Sequence, residues 1–283
     1  MAMTQADIRA HYEVAWKSHA SRADSVADLS YSSEVEDALL YPAYRQLLDD
    51  HSREPDGGSI LDVGCGSGRW VGFFLQHYHP SKFVGIDFAE ASIGLLRQWR
   101  ESQAGDGRVV EFRHGNIADP ALDLGETFDL INIANVLFHI PEPELFASAL
   151  VNLRKHLAPG GAIMTTEYLP RQTMRTNWML VRSRYEFQRA VEEAGLRIAA
   201  VRATCFFAND PMGLDGPDDH SRAPFNRVRG RIAQLMNAST NPDTKKFLAE
   251  LFVDVEQAAM AFTRERVAEI DFPSQKLVML VAR

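Results

Sequence analysis

The sequence predicts an α/β fold: a doubly wound sheet of about seven strands, mostly parallel with an antiparallel edge strand, plus a helical cap. Three observations predict it. From Ser59 onwards, short apolar runs alternate with segments of helical periodicity, a pattern that means parallel strands joined by crossover helices. One run leads into "SILDVGCGSGRW", Ser59 to Trp70, where three glycines fall at alternate positions between a strand and a helix. With 283 residues, 46% of them hydrophobic and 24% charged, the chain can bury a large core without disulfide or metal staples.

The elements follow in order. Residues 4–20 and 34–50 read as helices. The second opens with Ser33 and Glu36 at capping-box spacing, and Val35, Leu39, Leu40, Leu47 and Leu48 give it an apolar stripe. After the turn "EPDGGS", strands are expected at Ile60–Val63, Phe83–Ile86, Val109–Arg113, Phe128–Ile133, Ala162–Glu167, Leu196–Ala203 and Lys276–Ala282. Helices between most of them are expected at about 67–78, 90–103, 142–157 and 183–194. "APGG", Ala158 to Gly161, is read as a sharp turn into the fifth strand. No short crossover helix precedes the last strand, so it is assigned as the antiparallel edge.

Roughly seventy residues separate the sixth and seventh strands. Their first part, "ANDPMGLDGPDDHSRAP", is turn-rich and acidic. The second holds a long helix capped by Asn241, with Pro242 at its first position. Phe247, Leu248, Leu251, Phe252, Val255, Ala259 and Phe262 recur there at helical spacing, which reads as a stripe packed onto the domain. Phe206, Phe207 and Phe225 add further aromatic surface, and together these rings can line an apolar or sugar-stacking pocket. An insertion this long is usually a lid or binding element. The expected organisation is an N-terminal helical lid over 1–55, a core of 56–204 and 274–283, and an inserted substrate cap over 205–273.

A formal charge of -8 lacks the cationic footprint that sequence-independent nucleic-acid binding requires. Arg222, Arg227, Arg229 and Arg231 cluster locally, as a solvated face or a contact for an anionic ligand. Cys65 and Cys205 form neither a disulfide framework nor a zinc spacing, so a reducing compartment is the expectation. No basic, apolar leader opens the chain and no 18-residue apolar segment occurs, so a soluble cytoplasmic protein without membrane attachment is expected. A small-molecule partner fits these features, and assembly into a homodimer stays open.

The glycine loop carries the chemistry. Gly64, Gly66 and Gly68 sit where a strand turns into a helix, allowing positive φ and close approach of a ligand to bare backbone. The helix N-terminus that follows suits a carboxylate or phosphate. The next strand ends in Asp87, 19 residues after Gly68, where an acid accepts hydrogen bonds from ribose hydroxyls. A dinucleotide loop would place its third glycine at Arg69. Asp62, just before the loop, would repel a pyrophosphate and suits a cation such as an ammonium or a sulfonium.

With these residues in view, the sequence resembles the class I S-adenosylmethionine-dependent methyltransferases of small-molecule type. "LDVGCGSG" resembles their first motif and "VGIDFAEASI" their second; "FRHGNIADP", "FDLINIANVLFHI" and "LRKHLAPGGAIMTTEY" follow in the family's order over about residues 58–168. A weaker likeness lies in "SRYEFQRAVEEAGLRI". The resemblance implies a Rossmann-like core over 56–204 and 274–283 that binds S-adenosylmethionine and releases S-adenosylhomocysteine. Asp62, Gly64 and the loop residues Cys65, Gly66 and Gly68 would face the methionine part, with Cys65 a small filler. Asp87 would take the ribose hydroxyls, while Phe88 or Ile117 would pack on the adenine. Asn116 stands where the family often has an Asp for the adenine amino group, and the main chain near Ala134 and Asn135 would meet the methionine ammonium.

In-line displacement from a sulfonium gains most from holding the reactants aligned and dry. A hydroxyl acceptor also needs a base, placed at the strand C-terminal ends where open α/β sheets bind ligands. His139 in "NVLFHI" and Glu167 in "TTEY" have that address and are the catalytic candidates; Tyr168 and Arg69 are substrate-side groups. His114 reads as structural, and "HYH" at 77–79 ends a helix far from the crevice. No metal site is assigned: Glu167 with an acid of the 205–220 loop can supply oxygen ligands to Mg²⁺, but no spacing demands it. The expectation is methyl transfer to oxygen of a sugar, glycan fragment or natural product. N-methylation of a small molecule and non-catalytic cofactor binding are the alternatives; a dehydrogenase would require NAD instead.

Overall fold

The computed structural model describes residues 4–20, 34–103, 107–206, 223–272 and 274–283. Alternation along each strand sets its layers. Ile60, Phe83, Leu130, Met164, Leu277 and Met279 point to one face of a single sheet, while Leu61, Val84, Ile131, Ile163, Val278 and Leu280 point to the other. Seven strands build that sheet: β1 (Ser59–Val63), β2 (Lys82–Asp87), β3 (Val109–His114), β4 (Phe128–Ile133), β5 (Leu157–Glu167), β8 (Leu196–Ala203) and β9 (Lys276–Ala282). Their order is β3-β2-β1-β4-β5-β9-β8.

Helices α2 (Glu34–Asp50), α3 (Arg69–His77) and α4 (Glu90–Ser102) cover the first face, where Tyr44, Leu48, Phe74 and Leu96 are fully buried. Helices α5 (Pro143–Lys155) and α6 (Arg184–Glu193) cover the second through Phe146, Leu150, Phe187 and Val191. Helix α1 (Gln5–Ala20) rests against α4 at the strand C-terminal ends. The stripe expected on α2 is buried at all five positions. Its proposed cap Ser33 lies outside the described residues.

Three expectations are revised. The last strand is antiparallel as expected, but it lies one place in from the edge, between β5 and β8. Its run Lys276–Val281 is buried throughout, as pairing on both sides requires, whereas β8 is only partly buried and forms the edge. "APGG" is a bulge inside β5 and not a turn before it: Leu157 already pairs with Phe128, and the register then jumps to Leu130 opposite Ala162. Gly161 sits so close to the Asp129 carbonyl that a Cβ there would lie 2.8 Å from its oxygen. The apolar stripe of the inserted helix is split. Phe252 is buried with Ala249 against Val35 and Leu39 of α2, whereas Phe247 and Phe262 are more than 60% exposed.

That helix is α8 (Pro242–Arg264), capped as expected by the Asn241 side chain, which accepts from the Asp243 and Thr244 amides. It follows α7 (Ala223–Ala238), which the sequence reading did not separate. Residues 207–222, which include most of the acidic turn-rich stretch and Arg222, lie outside the described residues. A short hairpin, β6 (Met174–Arg175) with β7 (Leu180–Val181), was also not anticipated. No helix among the described residues is long and apolar enough to cross a membrane.

Phe83 joins the α3 and α4 sides of the core, packing between Phe74 and Phe112. Phe83→Ala is expected to lower unfolding free energy by about 3–5 kcal/mol in chemical denaturation.

Candidate active site at the strand ends

From β1 the chain winds outward through β2 and β3, then returns to place β4 on the other side of β1. Such a reversal leaves a crevice beyond the strand C-termini, because the helices on either side of it leave in opposite directions. Here the crevice is a cleft of about 490 Å³.

The glycine loop forms its floor. Gly64, Gly66 and Gly68 have φ of 71°, 48° and 81°, the left-handed region that disfavours side chains. At Gly64 a Cβ would also collide with Val136. Asp87 holds the loop in place: one carboxylate oxygen accepts from the Gly66 amide at 2.9 Å and the other from the Ala89 amide at 2.8 Å. Burial pushes this carboxyl up, and those two amides pull against it.

Gly64, Cys65, Gly66, Asp87, Phe88, Ala134, Asn135 and His139 all line the cleft, as do Arg69 and Tyr168. Burial raises the Cys65 thiol well above its ordinary range, as befits a filler within the loop. Asn116 and Ile117 line a small cavity that shares Gly64, Asp87, Phe88 and His139 with the main cleft. The Asn116 side-chain carbonyl accepts from the Ala118 amide, which leaves its second lone pair and its NH₂ for a ligand.

Three predicted residues lie elsewhere: Gly68 caps the start of α3 and does not line the cleft, and Glu167 and Asp62 are turned away from it. Glu167 is buried and does not line the cleft. Thr165 Oγ1 reaches it at 3.4 Å, so both point to the sheet face under α5 and α6, while Thr166 points the other way. Period-2 alternation thus turns the acid toward Arg182, and burial pushes its carboxyl up to about 8. Asp62 is also buried behind the lining residues. Asn132 Nδ2 donates to its Oδ1 at 2.7 Å, and its Oδ2 has no hydrogen-bond partner. Burial raises its carboxyl to about 7.

The reading of the sequence missed the walls. Tyr12 and His11 come from α1, and Glu36 comes from α2. Met179 comes from the β6–β7 hairpin. The hairpin carbonyl of Trp178 accepts from His139 Nδ1 at 2.9 Å, and the Trp178 ring packs on His11 with centroids 4.2 Å apart. Tyr12 Oη lies 3.4 Å from His139 Nε2. No motif spacing marks these residues; only the helical period of α1 gave a signal. Arg69 forms an ion pair with Asp37 of α2 and donates to Tyr41 Oη, fastening α2 beside the glycine loop. No described residue of α7 or α8 lines the cleft. Among the described residues, no three His, Cys, Asp or Glu converge as a metal cage.

Asn135 has φ of 60°, an uncommon value for a residue other than glycine. Its amide donates to Thr166 Oγ1 at 2.7 Å, and its side-chain carbonyl accepts from Thr166 Oγ1 and from Gln275 Nε2. The end of β4 is therefore locked by β5 and β9.

Comparison with known proteins agrees with this geometry. Residues 61–163 match a family model described as a methyltransferase domain. A probable methyltransferase, ltbC, of Aspergillus luteorubrus is 30% identical over 112 residues, covering 38% of this chain and 39% of that protein. The cypemycin N-terminal methyltransferase of a Streptomyces species is 32% identical over 127 residues, 44% of this chain and 48% of its own length. The chain thus spans less than half the length of these relatives. Among solved structures, the 4+2 cyclase SpnF matches with a TM-score of 0.57 at 15% identity, covering 99% of this chain and 97% of its own. The CcbJ methyltransferase of Streptomyces caelestis matches with a TM-score of 0.52 at 14% identity, covering 93% and 94%. The two structural matches are likenesses of fold. A methyltransferase domain thus accounts for residues 61–163, within a sheet and helix layers that have the Rossmann-like methyltransferase fold.

The residues present fit S-adenosylmethionine, the cofactor that a methyltransferase domain of this fold uses. Asp87 keeps lone pairs for a diol, the bare glycine loop admits a nucleoside, and the unpartnered Asp62 oxygen suits a cationic group nearby. Two variants test this fit by isothermal titration with S-adenosylhomocysteine. Gly64→Ala, which combines a strained φ with a collision, is expected to abolish binding. Asp87→Ala is expected to weaken it by about tenfold or more, the loss of a charge-assisted hydrogen bond.

Proposed function

We propose that this chain transfers a methyl group from S-adenosylmethionine to a hydroxyl of a small molecule. The observation that carries the proposal is the state of His139. Its Nδ1 faces the Trp178 carbonyl, which can only accept, so Nδ1 carries the proton and Nε2 keeps its lone pair. Nε2 accepts from the Tyr12 hydroxyl at 3.4 Å on the cleft wall, a long hydrogen bond that the hydroxyl of an incoming acceptor would replace. Burial holds the imidazole below its ordinary 6.5, against the pull of the Trp178 hydrogen bond. At neutral pH it is therefore an uncharged base.

When bound, S-adenosylmethionine supplies a methyl group on a sulfonium, a carbon already activated for in-line displacement. The glycine loop, Asp87 and Phe88 hold and orient the donor's nucleoside. Asn135, fixed by Thr166 and Gln275, presents backbone to its amino-acid end. His139 receives the acceptor's hydroxyl proton at Nε2, a contribution of about 10²–10⁴-fold. Tyr12, His11 and Trp178 form an aromatic wall beside His139.

A cleft of about 490 Å³ suits a nucleoside with a small acceptor, and the net charge of -8 disfavours a nucleic acid in that place. Among curated relatives, the erythromycin 3''-O-methyltransferase of Saccharopolyspora erythraea, 28% identical over 117 residues, methylates oxygen by its name. The cypemycin enzyme is named for an N-terminus. An amine acceptor needs only its neutral form, so a tautomer-fixed base favours the hydroxyl reading.

The test is S-adenosylhomocysteine release on a panel of small alcohols, phenols, sugars and amines. His139→Ala is expected to cut kcat by about 10²-fold or more while affinity for S-adenosylhomocysteine moves by less than about twofold. Unchanged turnover would remove His139 as the base. The wild-type kcat is expected to rise with pH through a midpoint below 6.5 and stay flat above it, because the working form is the deprotonated imidazole.

A further inference from the structure

Asp62 ends in a polar chain that reaches across three elements. Its Oδ1 accepts from Asn132 Nδ2 at 2.7 Å, and Asn132 Oδ1 accepts from Tyr44 Oη at 3.0 Å. The three residues come from β1, β4 and α2, and none is more than 1% exposed. At the end of the chain, Asp62 Oδ2 has no partner.

The chemistry of these groups allows few arrangements. An ionised carboxylate only accepts, so the Asn132 amide must turn its NH₂ toward Asp62. Its carbonyl then faces Tyr44, whose hydroxyl must donate. If Asp62 is protonated, the amide can turn over: the Asp62 O–H donates to the carbonyl and the NH₂ donates to Tyr44 Oη. Amide orientation and the charge on Asp62 are thus one variable, and the Tyr44 hydroxyl completes either state.

We propose that Tyr44 and Asn132 are positioning residues that keep Asp62 charged behind the glycine loop, where its charge favours a cationic group of the cofactor, tying cofactor capture to the seating of α2. The proposal rests on S-adenosylmethionine being the ligand. Its new content is the role of α2. The same helix contributes Glu36 to the cleft and pairs with Arg69 through Asp37, so one element frames the acceptor end and sets the donor-side acid.

The titratable neighbours strengthen the case. Asp87 of β2 acts on Asp62 as a like charge, Cys65 sits in the loop as a buried thiol, and Tyr78 after α3 acts on Tyr44. None of these carries a positive charge. Against burial, Asp62 relies on the Asn132 hydrogen bond, and its carboxyl stands at about 7. Burial also raises Tyr44 well above its ordinary value, which keeps its hydroxyl a donor.

Tyr44→Phe removes only the hydroxyl. The unpaired Asn132 carbonyl then competes for Asp62, which favours the protonated acid. In the ligand-free protein, the ¹³C carboxyl resonance of Asp62, assigned with Asp62→Asn, is expected to titrate about one pH unit higher in Tyr44→Phe. By isothermal titration, affinity for S-adenosylhomocysteine is expected to fall about fivefold at pH 7, which is that shift read on a half-ionised group, and to recover by pH 8.5. In an Asp62→Asn background, Tyr44→Phe is expected to change nothing further. An unshifted carboxyl midpoint, or an affinity loss equal at every pH, overturns the proposal and reduces Tyr44 to packing. Absence of S-adenosylhomocysteine binding in the wild type would instead overturn the ligand assignment, and the ligand-free titration would still decide the role of Tyr44.

Discussion

The site depends on one carboxylate. Asp87 closes β2 and takes the amides of Gly66 and Ala89, so the loops after two neighbouring strands are fastened at a single point. The amides of Gly64 and Cys65 both donate to the Ile86 carbonyl, which brings the first loop back against the second strand. Ser92 Oγ, on the first turn of α4, caps the Gly66 carbonyl. A ligand arriving here meets backbone already held in place, and little ordering is left for it to impose. Two of the four lone-pair sites of a carboxylate go to this bracing and two remain for a diol.

Part of what surrounds that bracket comes from outside residues 61–163, the stretch that matches the methyltransferase-domain model. Helix α1 brings Tyr12 and His11, α2 brings Glu36 and the Arg69 partner Asp37, and the hairpin brings Trp178 and Met179. The glycine loop is thus built by the repeating strand–loop–helix core, whereas the wall around His139 is completed by additions to it. Function varies through such additions while the fold stays.

The core was legible because its physics is local. Apolar alternation located all seven strands of the main sheet, and the glycines of "DVGCGSG" announced a loop whose φ angles only glycine takes easily. The side to which a strand-end residue points was harder to read. Glu167 and Thr166 are adjacent, yet one faces Arg182 and the other Asn135; choosing between them requires the register of β5, which the bulge at Ala158–Gly161 alters. The place of β9 was hidden because pairing at a separation of more than a hundred residues leaves no local trace. Strands of two residues in the β6–β7 hairpin are too short for any periodicity, so Trp178 and Met179 gave no warning. Tyr44 was read over for a related reason: a tyrosine on an apolar helix face looks like core, and only Asn132 opposite it shows a second use.

The contact that fixes His139 has a consequence for how this site can change. What it meets at position 178 is a peptide oxygen, and every amino acid carries one. Exchanging the indole for another side chain would alter the stacking on His11 and leave the imidazole's tautomer as it is. Adding or removing one residue in the hairpin would carry that oxygen away. Selection can therefore remodel the rim of the pocket freely by substitution, while the hairpin's length is the quantity it must preserve.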